Sequence, residues 1–462
     1  MSNLALFNVN GCIGRGAYEV PEYPTAQSFV EHLDYLEIDR SLVWHVVARD
    51  LHPLTGNQRL LREIEEAGLQ ERLLPAFVIT PACFYERGVL DYLRLQLACG
   101  RVRALRISPK TSRFPIREIE RVLGELARFE PVLFWDCRES YGAHDLRDLE
   151  SLAQALPKVN FVLTQKMWGG FSGVLDLLWR CPNTSVDISW LHMRDTLELL
   201  TERFGAERVL FGIGPRAHYG AAIAALAHAD LTSFQRELIA HGNLERLLKI
   251  EPLSGKLTRP PAQLAQKPLW QAFRSGQPVT GVDVIDAHGH TPPHTRGWVM
   301  RNQDTATAPE AFIRRMDRLG VKQLILSSEA ALFGENLAGN LETEKQLMPY
   351  RERLAGYLVF NPLYGEEMTP HLDDFFKRGF YVGFKLLASY WKCPVTDAGY
   401  RPVWEFADRH ALPILLHTWN DRHDSPAMLD EIVARYPRAV FLLGHSGGGS
   451  PGRLEAEALA LK

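Results

Sequence analysis

The most informative stretch of the chain lies beyond its middle and reads Val284-Ile285-Asp286-Ala287-His288-Gly289-His290. It is an apolar run that ends in two histidines separated by a single residue. Side chains two residues apart on an extended strand point to the same face, so His288 and His290 are predicted to project together from a strand end. Two imidazoles in this arrangement are suited to binding one divalent metal ion.

Short strand-like runs alternate with amphipathic helical patterns throughout the first half of the chain. In Glu118–Phe129, for example, apolar side chains recur at helical spacing. The predicted strands are Leu4–Val9, Ser41–Val47, Leu74–Ile79, Val102–Ile107, Val132–Asp136, Asn160–Thr164, Thr184–Ile188 and Val209–Ile213. Eight strands alternating with helices over about 250 residues have the size of a (β/α)8 barrel. A doubly wound open sheet is the alternative, but no glycine-rich phosphate fingerprint follows the first strand.

A proline-containing stretch then separates the two halves, and residues 253–281 are predicted as a linker. The alternation restarts with six predicted strands. They are Val284–His288, Gln323–Ser327, Gly356–Phe360, Val382–Leu387, Pro413–His417 and Val440–Gly444. The sequence therefore predicts a first barrel over residues 1–252 and a second, incomplete one over residues 282–462.

The two halves are also similar to each other, which indicates a tandem duplication. Glu71–Pro81 aligns with Glu352–Pro362, and Asn160–Leu163 aligns with Val440–Leu443 at nearly the same offset. The first copy is whole, whereas the second ends early. The fold prediction is α/β, with two tandem (β/α)8 TIM-type barrels, the second truncated after about six strands.

Three more polar residues of the second half lie in or at the ends of predicted strands. Lys385 lies in the fourth strand, His417 ends the fifth and His445 ends the sixth. The carboxyl ends of barrel strands form one face, which carries the active site, so these residues should converge with His288 and His290. A single histidine at a strand end is more often a structural residue than a ligand, but four on one face favour a metal site.

Other positions leave their roles open. Lys385 could be carbamylated and bridge two metal ions, bind a substrate carboxylate, or pair with an acidic side chain. His294 and His423 follow strand ends and could line the mouth of the barrel, although solvated loop histidines are common.

The second half resembles the amidohydrolase superfamily, specifically the amidohydrolase-2 group of metal-dependent hydrolases. The matching segments are Ile285–His290, Gly383–Leu386, Pro413–Thr418 and Leu443–Gly448. The resemblance implies a divalent ion, expected to be Zn²⁺, held by His288, His290 and His417. It implies for His445 a second ligand position or an electrophilic role towards the substrate carbonyl. Members hydrolyse amide, ester or lactone bonds, and a related branch decarboxylates aromatic or unsaturated acids without oxidation.

Two departures from the family pattern shape the prediction. The family places a catalytic aspartate at the end of the eighth strand, and the chain stops at Lys462, before that point. We therefore expect the sequence to be a fragment of a longer chain; the alternative is a homo-oligomer in which another subunit supplies the strand pair.

In the first copy the candidate ligand positions are occupied by other residues, namely Asn10, Cys12, Arg106, Asp136 and Gln165, with Gly214 in place of the aspartate. The first barrel is thus predicted to be a structural or regulatory partner without catalysis.

Composition narrows the function classes. The chain is 46% hydrophobic and 23% charged, with a net charge of -3, so neither nucleic acid nor an anionic membrane surface is expected as a partner. No apolar run approaches the roughly 20 residues of a membrane span. The six cysteines form no CxxC pair, which is typical of a reduced, cytoplasmic protein.

The leading prediction is a metal-dependent hydrolase of a small molecule; a decarboxylase using the same site and an inactive scaffold are the alternatives.

Overall fold

The computed structural model describes residues 4–17, 21–167, 169–191, 193–218, 220–252, 263–291, 299, 301 and 308–462. These residues form two compact units. One comprises the described parts of 1–277 and 295–301, and the other those of 278–294 and 302–462. Both are α/β units in which every strand pairing among the described residues is parallel.

The first unit is built on one curled parallel sheet. Its strands are β1 (Phe7–Asn8), β2 (Cys12–Ile13), β3 (Arg40–His45), β4 (Leu73–Val78), β5 (Ala104–Ile107), β6 (Val132–Asp136), β7 (Asn160–Thr164), β8 (Thr184–Asp187) and β9 (Val209–Leu210). They follow one another in the sheet in chain order, except that β2 pairs with the end of β3. The amide of Val9 donates to the carbonyl of Phe211 at 3.1 Å, so the segments that follow β1 and β9 meet.

Helices connect the strands of this unit and follow the last one. They are Ala26–Tyr35, Val46–Asp50, Pro53–Glu66, Val89–Ala98, Pro109–Ser112, Glu120–Leu126, Asp145–Ala155, Phe171–Arg180, Thr196–Phe204, Ala221–His228, Ser233–Glu237, Asn243–Leu248 and Pro268–Ser275. Such crossovers are required because parallel neighbours cannot be joined by a tight hairpin.

Strand β6 shows why the strands of this unit appear in the sequence as continuous apolar runs. All five of its residues are buried. Leu133 and Trp135 belong to the large cluster that includes helix residues such as Leu123, whereas Val132 and Phe134 belong to a second cluster, formed mainly by strand residues. Because successive side chains alternate between the faces of a strand, this sheet is covered by apolar packing on both sides.

The second unit contains a six-stranded parallel sheet. Its strands are β10 (Val284–His290), β11 (Val321–Ser327), β12 (Leu354–Val359), β13 (Tyr381–Leu386), β14 (Pro413–His417) and β15 (Val440–Gly444), which lie in chain order. Its helices are Pro309–Leu319, Glu329–Phe333, Asn336–Leu347, Gly365–Met368, Leu372–Lys377, Ala388–Trp391, Arg401–His410, Asp430–Arg435 and Gly452–Ala460. Strands β10 and β15 are the edge strands of this sheet, and both carry exposed apolar side chains. Ile285 is 52% exposed and Val440 is 49% exposed.

The strand predictions agree closely with the structure. The bounds of β6, β7, β14 and β15 are those predicted from the sequence. The first and the eighth predicted strands are exceptions, because only Phe7–Asn8 and Val209–Leu210 are strands there. The first is also followed by a separate strand, Cys12–Ile13, after Gly11. A Cβ at Gly11 would lie 2.4 Å from the carbonyl oxygen of Leu42, so the close approach at this break requires glycine.

Part of the predicted linker is helical. Helix Pro268–Ser275 lies within the first unit, where Trp270 Nε1 donates to Glu37 Oε2 at 2.8 Å and Arg274 donates to the carbonyls of Leu36 and Glu37. Residues 253–262 lie outside the described part of the chain. The segment boundaries at 252 and 281 stay predictions. Within the described residues, no helix combines the length and the apolar character needed to cross a bilayer.

Candidate functional site

The two histidines of the opening motif end strand β10. Their ring centroids lie 5.2 Å apart, so His288 and His290 lie close together, as the spacing predicts. The backbone amide of His288 donates to Asp286 Oδ1 at 3.1 Å, which fixes the strand end locally. Residue 289 must be small because a Cβ there would lie 2.7 Å from Leu326.

The histidines from the fifth and sixth strands lie beside this pair. His417 ends β14 and pairs in register with Gly444, the last residue of β15, which His445 follows directly. The ring of His445 lies 4.9 Å from that of His417 and 5.6 Å from that of His288. The four imidazoles, those of His288, His290, His417 and His445, therefore form one continuous cluster at the carboxyl ends of the strands.

Lys385 forms the buried floor of this cluster. It lies in β13 with only 1% of its surface exposed, and its Nζ lies 3.0 Å from His288 Nε2. Burial lowers the pKa of Lys385 to about 7, with nearby Glu329 opposing the shift. A cation at this depth without a bound anion is unfavourable, so the ammonium is held close to its titration point.

The same burial keeps the neighbouring imidazoles neutral. Burial first, and then Lys385, His445 and His417, lower the pKa of His288 to about 3. The pKa of His445 falls to about 4, again mainly through burial and then through His417 and Lys385. Neutral imidazole is the form that binds metal ions, and its Nε2 can accept the hydrogen bond from Lys385.

Two acidic residues that the sequence reading missed orient the cluster. Asp424 Oδ2 lies 2.7 Å from His417 Nδ1 in a hydrogen bond. His290 Nδ1 is hydrogen-bonded to Ser327 Oγ at 3.2 Å, and Glu329 Oε1 lies 3.3 Å from the same nitrogen. A carboxylate that accepts the Nδ1 proton leaves Nε2 available as a ligand atom, as in many metal sites. Glu329 directly follows the polar end of β11, which was a usable signal. Asp424 lies in a loop seven residues after His417, where no spacing rule points to it.

Aromatic rings border the cluster on its exposed side. Tyr390 lies 5.3 Å from His417 and Trp419 lies 5.6 Å from His445, measured between ring centroids. Both are partly exposed, at 40% and 49%. They give the site an apolar rim next to its polar floor.

Of the two loop histidines that could line the mouth, one is described by the structure. His423 is buried and its Nδ1 is paired with Asp421 Oδ1 in its own loop. His294 lies outside the described residues. The structure thus brings together His288, His290, Lys385, His417 and His445.

The donor types suit a divalent ion, although among the described residues no group of three or more His, Cys, Asp or Glu side chains is placed so that it could hold one. In this arrangement His288 Nε2 is hydrogen-bonded to Lys385. The fit rests on two facts: the imidazoles of His288 and His445 are held neutral, and His417 and His290 each have a carboxylate at Nδ1.

The sequence profile of the Amidohydro_2 family, described as amidohydrolase, matches residues 40–250 and 285–461. No curated protein matches the chain.

Several solved structures match the chain at low identity. The 5-carboxyvanillate decarboxylase from Sphingomonas paucimobilis is 14% identical, with 54% of this chain and 100% of that chain covered and a TM-score of 0.41. A probable 2-pyrone-4,6-dicarboxylic acid hydrolase from Acinetobacter baumannii is 14% identical, with coverages of 54% and 100% and a TM-score of 0.39. The 5-carboxyvanillate decarboxylase from Novosphingobium aromaticivorans, complexed with manganese, is 11% identical, with coverages of 48% and 79% and a TM-score of 0.38. The profile match extends over more than half of the chain and includes every residue of the histidine cluster, so this protein belongs to the Amidohydro_2 family of amidohydrolases.

Proposed function

We propose that the second unit is a metal-dependent hydrolase that cleaves an amide, ester or lactone bond in a small molecule. The observation that carries the proposal is the convergence of four imidazoles and one buried lysine at the carboxyl ends of β10, β13, β14 and β15. Amidohydrolases use divalent metal ions, and this donor set suits one.

Each residue has a defined task in this proposal. His288, His290 and His417 would hold the ion, which we propose to be Zn²⁺. When bound, such an ion lowers the pKa of a water molecule towards about 7 and so makes hydroxide available at neutral pH. His445, with its neutral ring, would donate a hydrogen bond to the substrate carbonyl oxygen. Lys385 would hold negative charge that develops deep in the site.

A decarboxylase using the same site is the second candidate, and Lys385 is the observation that favours it. Its ammonium is the cation on the floor of the cluster and could hold a substrate carboxylate. Product analysis separates the two reactions, because decarboxylation releases CO₂ whereas hydrolysis incorporates water into the products.

The first unit is proposed to be a duplicate of the second that has lost its metal ligands. Strands β6 and β7 pair from Val132 with Asn160 to Asp136 with Thr164, and β14 and β15 pair in the same way up to His417 with Gly444. Because the register of these two strand pairs is the same, it supports the alignment of Asp136 with His417. The residues aligned after the next strand, Gln165 and His445, also share a left-handed backbone, with φ of 57° and 63°.

Metal analysis of the purified chain tests the proposal. We expect about one equivalent of divalent metal in the wild type after exposure to Zn²⁺ or Mn²⁺, and its loss in His288→Ala. His371→Ala, on the exposed surface of the same unit, is the matched control and should retain the metal. A wild type that binds no metal would contradict the proposal. Metal without turnover of any ester, lactone or anilide, and without CO₂ release from carboxylic acids, would favour the scaffold alternative.

A further inference from the structure

The first unit contains a cavity of its own at the positions that correspond to the histidine cluster. Its volume is about 440 Å³, within the range of small-molecule sites. The residues aligned with the candidate ligands all line it, namely Asn10, Cys12, Arg106, Asp136 and Gln165. The cavity has therefore persisted where the imidazoles are absent.

Four of the five replacing residues, Asn10, Arg106, Asp136 and Gln165, form hydrogen bonds within the protein. Asn10 Nδ2 donates to Asp187, and Gln165 Nε2 donates to the carbonyl of Ile213 at 3.0 Å. Asp136 accepts from Arg106 at 3.2 Å and from Arg138 at 2.8 Å. A carboxylate held by two guanidinium groups is poorly available to a metal ion.

Positive charge is in slight excess among the side chains that line the cavity. Four cationic side chains line it, Arg49, Arg106, Lys110 and Arg138, against three carboxylates, Glu22, Asp136 and Glu139. Each carboxylate already accepts a hydrogen bond: Asp136 from the two arginines above, Glu139 from Thr111, and Glu22 from the amide of Arg216. The lining side chains alone carry one net positive charge, and Asp50, which pairs with Arg49 at 2.7 Å without lining the cavity, offsets it, so a ligand with no more than one negative charge fits.

Arg106 supplies the donor that such a ligand would meet. It is 3% exposed, lines the cavity, and its Nε has no hydrogen-bond partner in the described structure. A buried guanidinium N–H without an acceptor is unfavourable, and a carboxylate is the acceptor that matches its planar edge.

Aromatic side chains complete the site. The guanidinium groups of Arg106 and Arg49 lie 5.3 and 5.4 Å from the centre of the Trp44 ring, which lines the cavity. Tyr23 and Phe29, with ring centroids 5.0 Å apart, line it as well. A ligand with a charged end and an apolar body would find both surfaces here.

We propose that the cavity of the first unit is a metal-independent binding site for a small organic monocarboxylate, with Arg106 as the residue that contacts the carboxylate. This site is separate from the histidine cluster and does not depend on its chemistry. The first unit would then sense or store a carboxylic acid rather than transform it.

Calorimetric titration of the full chain tests this, with propionate and benzoate as probes and their uncharged amides as references. The His288→Ala background removes the candidate metal site of the second unit. We expect the acid to bind in the wild type and in His288→Ala, and neither amide to bind. One equivalent should still bind in His288→Ala/Lys385→Met, which also lacks the candidate carboxylate contact of the second unit. Arg106→Gln should weaken binding by roughly tenfold, the loss of one charge-assisted hydrogen bond.

Because Arg106 is buried, its variant could fail to fold, so an exposed position provides a second measurement. Lys110→Gln on the rim should weaken binding a few-fold, whereas Arg117→Gln, exposed but outside the cavity lining, should leave it unchanged. Binding lost in His288→Ala or in the double variant, equal binding of the amides, stronger binding of inorganic phosphate, or no effect of Lys110→Gln would each overturn the proposal.

Discussion

At the scale of single residues, the candidate site depends on carboxylates that hold imidazoles in place. Asp424 is 2% exposed and lies against His417 Nδ1. Without a carboxylate at this position the imidazole could rotate or adopt the other tautomer, and its Nε2 would lose its fixed direction.

Asp424→Asn is therefore expected to lower the affinity for Zn²⁺ by about 10- to 100-fold. The measurement is a competition titration against a chromophoric chelator. Asp421→Asn is the matched control, because Asp421 pairs with His423 outside the cluster and its loss should leave the affinity unchanged. Equal affinities of the two variants would show that His417 needs no such orientation.

A second residue-scale prediction concerns Asp187 in the first unit. Burial raises the pKa of this carboxyl from 3.8 to about 7, although Ser189, Asn10 and the amide of Gln165 donate to it. A raised pKa means that the folded state binds the proton more tightly than the unfolded state. The contribution of Asp187 to the free energy of unfolding is therefore fully present below about pH 4 and is lost as the pH rises through about 7.

Asp187→Asn should accordingly flatten the pH dependence of the melting temperature of the first unit between pH 4 and pH 7. We expect the wild type to lose several degrees across this interval relative to the variant. Thermal scans at closely spaced pH values provide the measurement. Parallel profiles of the two proteins would mean that Asp187 is ionised throughout.

At the scale of elements, a buried asparagine joins a helix to strand β4 in the first unit and to strand β12 in the second. Asn57 donates to the carbonyl of Val78 and accepts from its amide, both at 2.9 Å. Asn340 does the same to Val359, at 2.8 and 3.1 Å. These side chains complete the backbone hydrogen bonding at the ends of β4 and β12, which the sheet itself leaves open.

Asn340→Ala is expected to destabilise the second unit by about 1–3 kcal/mol, because it leaves the buried amide of Val359 without a partner, whereas the carbonyl still accepts from Asn336. Gln346→Ala is the control on the exposed face of the same helix and should change the free energy of unfolding by less than about 0.5 kcal/mol. Urea unfolding monitored by circular dichroism measures both. Equal effects of the two substitutions would contradict the role assigned to Asn340.

At the scale of the whole molecule, the two compact units have separate hydrophobic cores. They also differ in chemistry, since among the described residues the imidazole cluster lies in the second unit. A metal ion that binds one folded unit stabilises that unit by mass action, by about 2.7 kcal/mol at a concentration of 100 times its Kd.

Calorimetry should therefore show two unfolding transitions, and Zn²⁺ should raise the melting temperature of only one of them. In His288→Ala neither transition should move, and this variant identifies the shifted transition as that of the second unit. A shift of both transitions by Zn²⁺ in the wild type would place a metal site in the first unit as well and contradict its loss of ligands.

The sequence alone determined the parallel α/β architecture, because strands buried on both faces appear as local apolar runs with clear ends. The bounds of β6 and β14 could be read directly, and so could the histidines at the strand ends, since a strand end places its residues at one edge of the sheet. The family followed from the same motifs.

Only the tertiary structure decided the environment of those residues. The pairing of Lys385 with His288 joins positions far apart in the chain, and Asp424 reaches His417 through the path of a loop. The lowered pKa values of His288 and Lys385 arise from burial, and burial depends on how all the strands and helices pack. The cavity around Arg106 also depends on tertiary packing, because the residues that line it come from distant parts of the sequence.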